Sequence, residues 1–196
     1  MFDRVADLEF EVTRVAARQI ERETPRFTRF STEFSLHGPD ATGRGEDVTY
    51  DAPDHDDVPA TALGLEGTHS FAEFSAALAD LDLFAGEPER AASRNYRRWA
   101  FESAALDLAL KRADRSLGDL LDRAYEPVRF VVSPSLGDPP SIEAVERLRG
   151  HTPTVEFKLD PTPAWDRDLV DALAATDAVS VLDMKGYYEG TEVDNP

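Results

Sequence analysis

Cysteine is absent from the 196-residue chain, which excludes a disulfide framework and thiolate metal sites. Lysine is almost absent as well. Of 21 basic residues only Lys111, Lys158 and Lys185 are lysines, and the rest are arginines. No apolar run approaches the roughly 20 residues that a membrane-spanning helix needs. The opening Met1-Phe2-Asp3-Arg4 lacks the charged-then-apolar pattern of a secretory signal, so a cytoplasmic location is the expectation. Positive charge is outweighed by 39 acidic residues, for a net charge of −18. Such a surface repels phosphates and anionic lipid, which argues against nucleic acid and membrane as partners. The acid excess suits an exterior adapted to high salt or to a cationic partner, or simply a well-solvated surface.

What is present is sufficient for a core, at 41% hydrophobic residues. Leu8 to Val15 alternates cleanly and predicts a first strand with one buried face. Phe27 to Leu36 predicts a second, Gly38 to Gly45 a turn, and Glu46 to Tyr50 a short third strand in an antiparallel meander. Asp51 to Pro59, with Asp54, His55, Asp56 and Asp57, reads as a solvated acidic loop. It lacks the glycine and the terminal glutamate of the helix–loop–helix calcium pattern. Helices are predicted over 70–81, with Thr68 or Ser70 as cap, over 91–112, and over 116–122. On the long helix, Tyr96, Trp99, Ala100, Ser103, Ala104 and Asp107 recur at three- and four-residue steps, with Phe101, Ala105 and Leu108 on the adjacent flank, which predicts a helix buried between two layers. Asp107 among them reads as a buried acid paired to an arginine or capping a loop, or else as an active-site carboxylate. His37, His55, His69 and His151 show no ligand spacing and fall in predicted loops.

From Pro127 the texture changes. Val128 to Val132 is a continuous apolar strand that ends at Ser133, and a helix capped by Ser141 runs to Arg149. A strand over 154–158, a helix over 166–175 and a strand over 179–183 complete a β-α-β-α-β order, the start of a parallel array. The organisation expected is therefore residues 1–126 as an α+β domain and 127–196 as the array. Two of the three lysines, Lys158 and Lys185, fall at the ends of these strands beside Asp183. The C-terminal ends of parallel strands are where α/β folds keep their chemistry.

Several segments resemble the enolase superfamily in its mandelate racemase and muconate-lactonizing branch. Gly43-Arg44-Gly45-Glu46 is similar to the Gly-x-Gly-Glu turn of that family's capping domain. Ala100 to Lys111, followed by Arg115-Ser116-Leu117-Gly118-Asp119-Leu120-Leu121, is similar to its long helix and the segment after it. The strands ending at Lys158 and carrying Asp183 resemble its second and third barrel strands. The fold implied is an α+β capping domain, made of an antiparallel three-stranded meander plus helices, followed by a partial parallel (β/α) barrel. The activity implied is that of a lyase or isomerase abstracting a proton alpha to a substrate carboxylate, with a magnesium ion stabilising the enolate. In the family's Lys-x-Lys triplet the second lysine moves the proton. Here the triplet is Glu156-Phe157-Lys158, so Lys158 matches and the neighbouring charge has the opposite sign.

The family's Asp-x-Asn becomes Asp183-Met184-Lys185, which implies Asp183 as magnesium ligand. Lys185 then either turns toward an acid such as Glu189 and leaves the metal site free, or replaces the metal's charge by pairing with Asp183. Lys158 and Lys185 are thus the catalytic candidates. Arg26, Phe27, Arg29 and Tyr50, beside the family's substrate-selecting loops, are candidates for substrate contact, with Ser133 at the first barrel strand. The partners implied are a small carboxylate substrate and, in a full-length protein, a second copy of the chain. A closed barrel needs eight strands, and the sequence has room for three. The enzyme reading therefore expects a continuation beyond Pro196, or a second chain, to supply strands four to eight. The rival reading is a catalytically incomplete unit that serves only folding or interaction.

Overall fold

The computed structural model describes residues 2–24, 27–56, 58 and 63–184. The chain divides into two compact units, Met1–Tyr125 and Glu126–Pro196.

The first unit opens with a helical turn, α1 (Phe2–Val5), and a short strand, β1 (Glu9–Val12). A three-stranded antiparallel meander follows, made of β2 (Arg14–Glu23), β3 (Thr28–His37) and β4 (Thr42–Asp47). The meander matches expectation; its boundaries do not. The predicted strand 8–15 is split, with β1 pairing instead with β5 (Gly67–Ser70) in a separate two-stranded sheet. The segment 38–45 is only partly a turn, because Thr42 to Gly45 already belong to β4. Glycines signalled a turn in the sequence; here they serve a close approach.

Along β4 the buried positions are Gly43, Gly45 and Asp47. They face α3 (Ser93–Arg112), whose buried side carries Arg97, Ala100, Phe101, Ala104, Ala105 and Leu108. A Cβ on Gly43 would lie 2.0 Å from the Ala104 carbonyl oxygen, and one on Gly45 2.0 Å from that of Ala100. Strand and helix backbones are therefore in direct contact, which only glycine permits. Two residues on, the series continues with Asp47, whose carboxylate reaches Arg97, one turn up the helix from Ala100. Phe34 of β3 stacks on Phe101 with ring centroids 4.1 Å apart. Above this layer α2 (Phe71–Ala79) is started by a capping box, in which Ser70 Oγ accepts the Glu73 N–H at 3.2 Å and Glu73 Oε2 accepts the Ser70 N–H at 2.9 Å. Ser116 and Asp119 repeat the device for α4 (Leu117–Leu121).

The expected buried face of the long helix is rotated. Trp99 is 61% exposed and Tyr96 40% exposed, and Arg97 takes their place in the interior. Apolar periodicity placed the aromatics inside because it cannot credit an arginine whose charge is fully paired. The acidic loop also differs: Ala52–His55 forms a 3-10 turn in which Asp54 and His55 are buried. His55 Nε2–H donates to the Thr49 carbonyl at 2.9 Å, and Nδ1 lies 2.9 Å from the Thr32 hydroxyl. His37, His69 and His151 belong to β3, β5 and a helix end rather than to loops.

The second unit is a parallel three-stranded sheet, β6 (Val131–Val132), β7 (Glu156–Leu159) and β8 (Val179–Leu182), in that order. The predicted strand 128–132 contracts to its last two residues. Two helices, α5 (Glu143–His151) and α6 (Arg167–Ala175), connect the strands. Ser141 does not cap α5: its N-cap is Ile142, with no side-chain cap bond. Asp166 caps α6, its Oδ1 accepting the Leu169 N–H at 2.8 Å. Phe157, Leu159, Val145, Leu169 and Leu173 form the core of this unit on one face of the sheet.

Candidate functional site

Strand alternation decides which side chains of β7 are free to do chemistry. Phe157 and Leu159 point into the helix-covered core, so Glu156 and Lys158 project from the other face. On β8, Lys158 is registered with Val181 and Leu159 with Leu182. One residue further, the Asp183 N–H donates to the Leu159 carbonyl at 2.9 Å, which carries the ladder past the end of the strand. This brings Lys158 Nζ to 2.5 Å from Asp183 Oδ2, with both side chains 32% exposed. A third charge stands at the edge, since Asp160 Oδ1 lies 3.4 Å from the same ammonium.

Glu156 is directed to other partners. Its carboxylate accepts a hydrogen bond from the Ser180 hydroxyl on β8 and pairs with Arg129 Nη1 at 3.0 Å. The Ser180 hydrogen bond, aided by the Arg129 charge, holds the Glu156 carboxyl below the usual glutamate range. The open face of this sheet thus carries two charge groupings, Arg129–Glu156–Ser180 and Lys158–Asp183–Asp160. Ser133 follows β6 and is exposed, and Lys185 lies outside the described residues.

These residues do not fit a magnesium ion as they stand. Magnesium asks for six oxygens in near-octahedral order. Asp183 presents its carboxylate to an ammonium, and Glu156 is bound to a hydroxyl and a guanidinium. Among the described residues no three His, Asp or Glu side chains gather in a way that could hold a metal ion.

The other sequence candidates lie in the first unit. Phe27 and Tyr50 approach with ring centroids 6.2 Å apart, and the Arg29 guanidinium stands 5.3 Å from the Tyr50 ring centre. Arg29 is fixed there by donating to the Val48 carbonyl at 2.6 Å and to the Tyr50 carbonyl at 3.3 Å. The sequence reading missed Arg90, which covers the Tyr50 ring at 5.6 Å while its Nε pairs with Asp51 at 2.8 Å. Nothing in the spacing of Arg90 and Tyr50 signalled that contact. Arg26 lies outside the described residues. Asp107 has a structural role: it accepts the Arg44 N–H at 2.9 Å and pairs with Lys111 at 2.7 Å, so its partner is a lysine. Among the described residues no helix is long and apolar enough to cross a membrane.

The fold is similar to that of solved mandelate racemase/muconate lactonizing proteins. A mandelate racemase/muconate lactonizing protein from Herpetosiphon aurantiacus aligns with a TM-score of 0.61 at 15% identity, over 90% of this chain and 52% of its own. The mandelate racemase/muconate lactonizing enzyme from Bordetella bronchiseptica RB50 aligns at 0.60 and 18% identity, over 96% of this chain and 61% of its own. The chain thus spans between half and two thirds of the length of these structures, and at such identity the likeness is one of fold. Comparison with curated proteins finds no match. Two family models cover nearly the whole sequence: residues 3–120 match the one described as "Domain of unknown function (DUF8230) N-terminal domain", and residues 124–196 its C-terminal counterpart. The chain, enolase-like in fold, belongs to the DUF8230 family.

Proposed function

We propose that this chain is the N-terminal portion of an enolase-type lyase or isomerase, its parallel strands being the first of a β/α barrel, and that Lys158 moves a proton on the carbon next to a substrate carboxylate. The observation that supports this is the placement of Lys158 and Asp183 side by side at the C-terminal ends of adjacent parallel strands. In the proposed step the Lys158 ammonium first gives a proton to solvent, and the neutral amine so formed takes the substrate proton. The C–H bond breaks, an N–H bond forms, and the electron pair of the broken bond delocalises into the carboxylate as an enolate. The ammonium produced is the species that pairs with Asp183. Return of the proton to the same carbon, or loss of a leaving group from its neighbour, completes an isomerisation or an elimination. Phe27, Arg29 and Tyr50 are proposed to contact the substrate, as are Arg26 and Ser133, with Lys185 as a second cation near the reacting carboxylate.

A second reading has its own support. The Lys158 ammonium is held between Asp183 and Asp160, and the donor set does not fit a metal. This favours an enolase-like unit that serves folding or interaction and has no turnover of its own.

Exchange of substrate protons for deuterium separates the two. Carboxylates such as mandelate and muconate-derived lactones, incubated with the protein in D2O with and without magnesium chloride, are followed by proton resonance. The enzyme reading expects loss of the signal alpha to the carboxylate, abolished by Lys158→Ala. Exchange that persists in Lys158→Ala removes Lys158 from the mechanism. With strands four to eight supplied by a longer chain or a second one, no exchange across the panel supports the second reading.

A further inference from the structure

Asp183 stands where the resemblance to the enolase superfamily implies a magnesium ligand, and the surrounding residues assign it another task. Its Oδ2 lies 2.5 Å from Lys158 Nζ. Backbone geometry keeps it there, because the Asp183 N–H is bonded at 2.9 Å to the carbonyl of Leu159, the residue after Lys158. The two further carboxylates of this strand are also countered by cations. Asp160 stands 3.4 Å from the same ammonium, and Glu156 pairs with Arg129 at 3.0 Å and accepts from Ser180. A divalent ion at Asp183 would place like charge within a carboxylate's width of Lys158, or would have to displace it.

We infer that Asp183 is the positioning counter-ion of Lys158 and not a metal ligand, so that the cation at this site is the lysine ammonium itself. The inference rests on the proton-transfer reading for what Lys158 does, but its tests require no turnover. Failure of the exchange assay would therefore leave the pairing standing, and failure of the pairing would leave exchange to be judged separately.

The near-absence of lysine makes the pair directly readable. With three lysines in the chain, trace acetylation followed by mass spectrometry reports each amine. Lys111, itself paired with Asp107 at 2.7 Å in the first unit, serves as internal control. Replacing Asp183→Asn should speed acetylation of Lys158 by about threefold, as expected for loss of a part-exposed ion pair, and leave Lys111 unchanged. Asp183→Glu should restore part of the protection. Equal Lys158 rates in the wild type and Asp183→Asn would overturn the pairing. The second arm uses only the wild-type protein and Mn2+, in about 0.5 M KCl so that the acidic surface is screened. Below about 1 mM, the weak end of carboxylate cation sites, Mn2+ should broaden the resonances of Lys158 and Asp183 no more than those of surface acids such as Asp171. Selective broadening at Asp183 would make it a metal ligand and overturn the inference.

Discussion

Arg97 Nε meets Asp47 Oδ2 at 2.8 Å with the arginine side chain 1% exposed and the aspartate 0%. Each guanidinium nitrogen is engaged: Nη1 donates to the Leu83 carbonyl at 3.1 Å, Nη2 to the Asp54 carbonyl, and its face lies 3.7 Å from the Phe84 ring centre. The Asp47 carboxylate in turn receives the Thr49 N–H at 2.9 Å and its hydroxyl at 2.6 Å. Strand β4, helix α3 and the segments carrying Thr49, Asp54, Leu83 and Phe84 are therefore joined through one buried charge pair.

Removing one partner should be far more damaging than removing both. Arg97→Met or Asp47→Ala leaves the other charge buried and alone, at an expected cost of about 3–5 kcal/mol. That is a large part of the 5–15 kcal/mol typical of a domain. The double variant Arg97→Met with Asp47→Leu should cost less than either single change. Urea unfolding followed by circular dichroism measures this, and a cost below about 1 kcal/mol for Arg97→Met would contradict the role given to the pair.

The glycines of β4 lead to a sharper contrast. Gly43→Ala and Gly45→Ala each drive a methyl group into a helix carbonyl, so both should destabilise by about 3 kcal/mol or more. Gly86→Ala, where a Cβ meets nothing within 4 Å, should stay within about 0.5 kcal/mol of the wild type. If all three behaved alike, the backbone contact between β4 and α3 would not be present in solution.

Acid should weaken both units through identified carboxylates. Glu73 and Asp119 are held below their ordinary ranges by the capping-box bonds to Ser70 and Ser116, and Glu156 by Ser180 and then Arg129. A carboxylate depressed in the folded state binds its proton more readily when unfolded. Its stabilising contribution is thus complete above about pH 4.3, the ordinary glutamate value, and disappears as pH falls through the folded values. Denaturant midpoints should fall below about pH 4. In Ser180→Ala the Glu156 carboxyl resonance should titrate at higher pH than in the wild type. An unmoved Glu156 titration in that variant would show that the hydroxyl is not what depresses it.

The sequence was legible at several places where one local rule governed, although the cap expected at Ser141 shows that such a rule does not always hold. Ser70 caps its helix and the helix expected over 166–175 is present, while the strand expected over 154–158 forms two residues later, as β7, with Lys158 one residue before its end. It was illegible where two distant segments settled the outcome together. Gly43 and Gly45 look like turn residues until α3 is laid across them. Arg97 looks like a surface cation until Asp47, Leu83, Asp54 and Phe84 surround it, and Trp99 yields its interior place as a result. Asp54 and His55 were read as part of a solvated acidic loop, although partners from other segments, Thr32 and Thr49 for His55 and the Glu89 N–H for Asp54, receive them in the interior. At the candidate site the sequence named Lys158 and Asp183 as candidates but could not foresee that each would be the other's partner. The Arg129–Glu156 pair was invisible for the same reason.

The contact between β4 and α3 also orders events in time. Arg44 and Asp107, which join strand to helix, are 63 residues apart in the chain. During synthesis the meander therefore leaves the ribosome several seconds before the helix that covers it, at the usual 5–20 residues per second. Through that interval Phe34 and Leu36, fully buried in the finished unit, face water on an uncovered sheet. Glycines that allow such close seating provide no side chain to shield the sheet meanwhile. A nascent chain arrested before α3 emerges is therefore the form most exposed to chaperone capture, and release of that capture should coincide with synthesis of the second half of α3.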